Sequence, residues 1–218
     1  MAKDFRELFR RKGIISICRK IKTEHLIVLS DVLADAGILF MEVPFDQSDP
    51  QHLEKTTEQI RLLKERHGDM EIGTGTVLTC NEVQSTKDAG GSFIVSPNTD
   101  KHIIEFAKKL DMVSIPGAMT PTEIVGAYQA GADAVKLFPA GWLGVDYVKD
   151  VSAPLGHIPL IATAGITAEN FGAFLQAGCC GAGIGSAIAD RKLLEAGDRQ
   201  QLLTNAREFV RIFEACKK

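Results

Sequence analysis

The chain has 218 residues, a formal net charge of −3 and 45% hydrophobic residues, enough for one sizeable core. With no basic patch or tail, nucleic acid is not an expected partner, and no apolar run approaches the ~18–20 residues of a membrane span. Five cysteines without a CxxC pair argue against a disulfide framework or a zinc site and point to a reducing cytoplasm.

Met1-Ala2-Lys3-Asp4-Phe5 opens a polar amphipathic stretch rather than a secretory leader. The first strand, Ile14–Cys18, runs into Arg19-Lys20-Ile21-Lys22. A helix carrying Leu26, Leu29 and Leu33 then ends at Ala36-Gly37, ahead of an apolar run, Ile38–Val43, that holds one charge, Glu42. Ala-Gly recurs at 89–90, 130–131 and 177–178, each time before an apolar run: Phe93–Val95, Ala134–Phe138 and Ala182–Ile184. Glycine just past a helix is the expected left-handed cap. Besides Ile14–Cys18, three more strand-like runs lie between: Met70–Thr74, Met112–Pro116 and Pro159–Ala162. The last helix carries Leu202, Ala206, Phe209, Val210 and Phe213.

Eight strands alternating with helices predict a (β/α)8 TIM barrel with an N-terminal helix, a single domain over residues 1–218. The rival, an open doubly wound sheet binding a dinucleotide, needs a glycine fingerprint after the first strand; Arg19-Lys20-Ile21-Lys22 stands there instead. Cys18, Cys179 and Cys180 fall in or near strands and read as small core residues.

Lys136, inside Ala134-Val135-Lys136-Leu137-Phe138-Pro139, is the most telling residue. It is a snorkelling side chain, half of a buried ion pair, or a desolvated amine able to attack a carbonyl. Glu42 and Lys136 each lie five residues past a capping glycine, where the other two repeats carry Val95 and Gly183. If those glycines mark equal depths, the glutamate and lysine share one interior layer with room for a ligand. Both lie near the C-terminal ends of their strands, where such barrels hold active sites, which favours the nucleophile. Val135, Leu137 and Phe138 are the expected source of desolvation. An ionised Glu42 favours the ammonium, so the two are expected to communicate through water rather than in a tight pair.

Other strand ends supply candidate binding groups. Thr163-Ala164-Gly165 and Gly183-Ile184-Gly185-Ser186 are glycine-rich turns after strands seven and eight, suited to an anion, or simply tight turns. Arg19 either grips a carboxylate or sits in a basic surface loop. Thr76 is a ligand contact or a helix-entry residue.

Six motifs in order, Met41-Glu42-Val43-Pro44, Ile72–Leu78, Val95-Ser96-Pro97-Asn98, Ile115-Pro116-Gly117-Ala118, Val135-Lys136-Leu137-Phe138-Pro139-Ala140 and Gly183-Ile184-Gly185-Ser186, resemble the 2-keto-3-deoxy-6-phosphogluconate and 4-hydroxy-2-oxoglutarate aldolases over residues 5–215. The resemblance implies that Lys136 forms a Schiff base with a keto group and that Glu42 moves protons through a water. It implies that Thr76 contacts the pyruvyl part, that Thr163, Gly165, Gly185 and Ser186 surround the distal, often phosphorylated end, and that Pro97 and Phe138 line the site. It implies no metal or other cofactor, a 2-keto-3-deoxy acid and pyruvate as ligands, and a homotrimer. Two positions depart from the family pattern. Asp46 stands where gluconate-type members carry a carboxylate-binding arginine, and Arg19 ends strand one as in the phosphogalactonate subgroup. Ala164 replaces the first of two glycines, and its methyl crowds the anion site. Two rival functions remain at this level: another lysine-dependent barrel enzyme, and a non-catalytic sugar-acid-phosphate binder on the same scaffold.

Overall fold

The computed structural model describes residues 2–217. After α1 (Ala2–Lys12) come β1 (Ile14–Ile17), α2 (Thr23–Ala36), β2 (Phe40–Pro44), α3 (His52–Arg66), β3 (Glu71–Gly75), α4 (Cys80–Asp88), β4 (Phe93–Val95) and α5 (Lys101–Lys109). The second half holds β5 (Val113–Ile115), β6 (Gly117–Ala118), α6 (Pro121–Gln129), β7 (Val135–Leu137), α7 (Ala140–Leu155), β8 (Leu160–Thr163), α8 (Ala168–Ala177), β9 (Gly181–Ile184), α9 (Arg191–Ala196) and α10 (Arg199–Cys216). All strand pairs are parallel, in the order β5-β4-β3-β2-β1-β9-β8-β7-β6. The two ends of that sheet are consecutive in the chain. They are halves of the fifth barrel strand, divided at Pro116, which has no N–H to give the ladder. Its carbonyl still accepts from the Lys136 N–H at 2.9 Å, so the barrel closes there. The eight predicted strands are present, the fifth in two pieces.

The Ala-Gly sites end helices as expected. Gly37, Gly90, Gly131 and Gly178 all have positive φ, from 82° to 126°. Each strand then divides its side chains by parity. Met41 and Val43, Val135 and Leu137, Ala182 and Ile184 belong to the cluster between sheet and helices. Ile15, Phe40, Phe93, Val95, Val113, Ile115, Ala134 and Ile161 form a second cluster, on the alternate, interior positions of their strands.

That interior cluster includes Phe5 and Phe9 of α1, one turn apart. Phe9 meets Phe40 edge-on at 5.2 Å between centroids, and Phe5 meets Phe40 at 4.9 Å. A side chain at Gly181 would strike Phe9 at 2.8 Å. So α1 closes the end of the barrel from which the strands start. Buried Asp133 ties it down, accepting from Arg6 (3.0 Å), Lys108 (2.6 Å) and the Ser114 N–H (2.9 Å). With one end plugged by phenylalanine, open space is left at the other.

Candidate active site

Parity also decides which charges face inward. Lys136 sits one step above Ala134 on β7, and Glu42 one step above Phe40 on β2, both on interior positions. Together with Ile17, Arg19, Phe138, Thr163, Gly165, Gly183, Gly185 and Ser186 they line one cavity of about 710 Å³, within the range of small-molecule sites. Glu42 fits because Gly75 of β3 faces it: a Cβ there would lie 1.7 Å from Glu42 Oε1. Gly183 likewise leaves open the space between Ile17 and Thr163, each 3.0 Å from where its Cβ would stand.

Lys136 is 6% exposed and Glu42 2%. Burial pushes the Lys136 ammonium below its usual range; Glu42 opposes that shift and Arg19 adds to it. Burial raises the Glu42 carboxyl, against the pull of Lys136 and Arg19. Among the described residues no ion pair within 4.0 Å joins the two, so each is left facing the cavity. The source of desolvation differs from expectation. Val135 and Leu137 point out toward the helices, and of the three flanks it is Phe138 that reaches the amine, its ring centroid 4.8 Å from Lys136 Nζ.

Arg19 is exposed at the cavity mouth, and its guanidinium donates to Thr76 Oγ1 at 3.5 Å. Thr76 has φ +57°, unusual for a β-branched residue. Asp46 turns away from the cavity: its carboxylate accepts from Ser48 Oγ at 2.6 Å and lies 3.4 Å from Lys20 Nζ. Ser48, and then Lys20, hold it below the usual carboxylate range. At the distal end Ala164 and Gly165 both adopt positive φ, 71° and 73°, and Ala164 lines the cavity. Thr167, Ala187 and Asp190 line it too; as common loop residues past strand ends they carried no signal of their own. Thr76 is not among the lining residues, and neither is Pro97. The Pro97 carbonyl packs where a side chain on Gly117 would go, at 2.3 Å. The thiols of Cys18 and Cys179 are buried and pushed up to about 12, chiefly by that burial.

A parallel eight-fold barrel whose open end gathers a buried lysine with a lowered pKa, a buried carboxyl and an arginine has the groups for amine attack on a carbonyl acid. The comparisons agree with that chemistry. The model of the family described as KDPG and KHG aldolase matches residues 5–204, and the chain belongs to that family of aldehyde-lyases. It is 33% identical to the probable 2-dehydro-3-deoxy-6-phosphogalactonate aldolase of Rhizobium meliloti, over 87% of each chain. It is 35% identical to the 2-dehydro-3-deoxy-6-phosphogalactonate aldolase of Escherichia coli K12, over 79% of this chain and 82% of that one. A solved native KDPGal structure superposes with a TM-score of 0.83 at 31% identity, covering 93% of this chain and 95% of the other.

Proposed function

We propose that this aldolase cleaves a 6-phosphorylated 2-keto-3-deoxy sugar acid, with the phosphogalactonate epimer as first candidate, to pyruvate and glyceraldehyde 3-phosphate. The carrying observation is Lys136 itself, an interior amine whose burial favours its neutral form in a cavity shared with Glu42. Neutral Lys136 adds to the C2 ketone; the Glu42 carboxyl, whose pKa burial raises, gives its proton to the carbinolamine hydroxyl, which leaves as water, so that a protonated imine and the Glu42 carboxylate remain. Glu42 takes the C4 hydroxyl proton, directly or through a water. The C3–C4 electron pair moves into the imine, the aldehyde leaves, and an enamine of pyruvate remains. Protonation at C3 and hydrolysis return pyruvate and the free amine. Arg19 and the Thr76 hydroxyl hold the substrate carboxylate and fix the ketone against Lys136. Thr163, Gly165, Gly185 and Ser186 take the distal phosphate, with Phe138 along the wall.

The protein acts in the cytoplasm as a homotrimer. Leu78 (41% exposed), Met119 (48%) and Trp142 (91%) lie past the ends of β3, β6 and β7 and offer apolar surface to neighbouring copies; light scattering checks the assembly.

Borohydride added with pyruvate should leave a stable adduct on Lys136. Lys136→Met should lose the adduct and about 10⁴-fold or more of kcat/KM. Pyruvate release from both C4 epimers, with and without phosphate, assigns the substrate. Trapping at another residue, or binding without turnover, would sink the proposal.

A further inference from the structure

Thr76 holds a left-handed backbone conformation, φ +57°, that is strained for a β-branched residue, so something must hold it. Its carbonyl accepts from Gln47 Nε2 at 3.0 Å. The same amide nitrogen donates to Glu82 Oε1 at 2.6 Å, which uses both of its protons. Glu82 is buried, 3% exposed. Its other oxygen accepts the N–H groups of Leu78 (2.6 Å) and Thr79 (2.9 Å), within the capping box that starts α4. His52 Nε2 stands 3.4 Å from Oε1. Glu82 is thus anchored from the helix, and Gln47 is a strut from that anchor to the bend at Gly75-Thr76.

Each side of this bend touches a residue that lines the cavity, Glu42 or Arg19. Gly75 makes the space that Glu42 occupies, and Thr76 Oγ1 is the partner of the Arg19 guanidinium. The geometry points to Gln47 as a positioning residue: held by Glu82, it sets the Thr76 bend and through it the aim of Arg19 at the substrate carboxylate. This rests on the carboxylate-binding role given above to Arg19. Gln47 itself is exposed, so replacing it removes two hydrogen bonds without opening the core.

The test is steady-state cleavage by Gln47→Met, Arg19→Met and the double variant, with thermal unfolding of each. Gln47→Met has nearly the same length and no donor. It should raise KM about tenfold with kcat within about twofold, the pattern of lost uniform binding. Gln47→Glu keeps the shape but turns an acceptor toward Thr76 O and Glu82, and should raise KM at least as much. In the Arg19→Met background, Gln47→Met should add less than about a twofold rise, because the group it aims is gone. An unchanged KM in Gln47→Met, or the same KM rise with and without Arg19, overturns the inference. If Arg19→Met alone leaves KM unchanged, the carboxylate grip has failed and this inference with it, while borohydride trapping still reports on Lys136 separately.

Discussion

Lys136 and Glu42 answer to the same two forces with opposite signs. Burial disfavours both charges, and each charge favours the other. The raised Glu42 carboxyl therefore binds its proton more tightly in the folded protein than in the unfolded chain. Its contribution to stability is present below the ordinary glutamate range and is lost as pH rises through the folded pKa. The depressed Lys136 runs the other way. Its contribution is present above the ordinary lysine range and is lost as pH falls through the folded pKa. Glu42→Gln tests this coupling. Removing the carboxylate takes away what holds the Lys136 pKa up, so the acid limb of borohydride trapping with pyruvate should move to lower pH. Turnover should fall by about 10²–10⁴-fold at the same time, because proton transfer at C4 loses its agent. A limb that moves to higher pH, or stays, would show that the two groups are not electrostatically coupled.

At the level of single strands, the site depends as much on missing side chains as on present ones. Gly75 has an ordinary strand conformation, so alanine there meets no backbone objection, yet its Cβ would stand 1.7 Å from Glu42 Oε1. Gly75→Ala should leave a folded barrel whose Glu42 is displaced. We expect kcat to drop by about 10²-fold or more with borohydride labelling of Lys136 retained; loss of labelling together with loss of fold would refute this division. The same elements show what could be read ahead of the structure. The Ala-Gly rhythm was legible because a left-handed cap leaves glycine few substitutes. Lys136 and Glu42 stood out because a charge on an apolar strand has few explanations. The parity that turns Val135 and Leu137 away from Lys136 was also available, although adjacency in sequence suggested contact. Gln47 and Glu82 were not legible: they are 35 positions apart, in polar loop and helix-start segments of ordinary composition. Nor was the division of strand five, where Pro116 can accept from Lys136 but has no proton for the ladder.

Over the whole molecule, the barrel separates a sealed end from a working end, as this fold commonly does. Phe5 and Phe9 seal one, packed on Phe40 and Phe93, while the cavity of Lys136 opens at the other. The spacing of Phe5 and Phe9, four apart in a helix crowded with charge, was the available sign that α1 belongs to the barrel interior. Phe9 is 4% exposed, so Phe9→Ala should cost about 3–5 kcal/mol, roughly a 10 °C fall in Tm for a chain of this size. Phe40 sits between the two regions, directly below Glu42 on the same face of β2. If the plug only stabilises, the substrate KM and the pH limb of borohydride trapping should match those of the parent protein below the new Tm. If it also sets the height of β2, Glu42 shifts with Phe40 and kcat falls while KM holds. The separation of ends predicts the first result, because Glu42 is located by Gly75 across β3 and not by the aromatic cluster beneath it. Kinetics at 25 °C on Phe9→Ala, beside its unfolding curve, decide between the two.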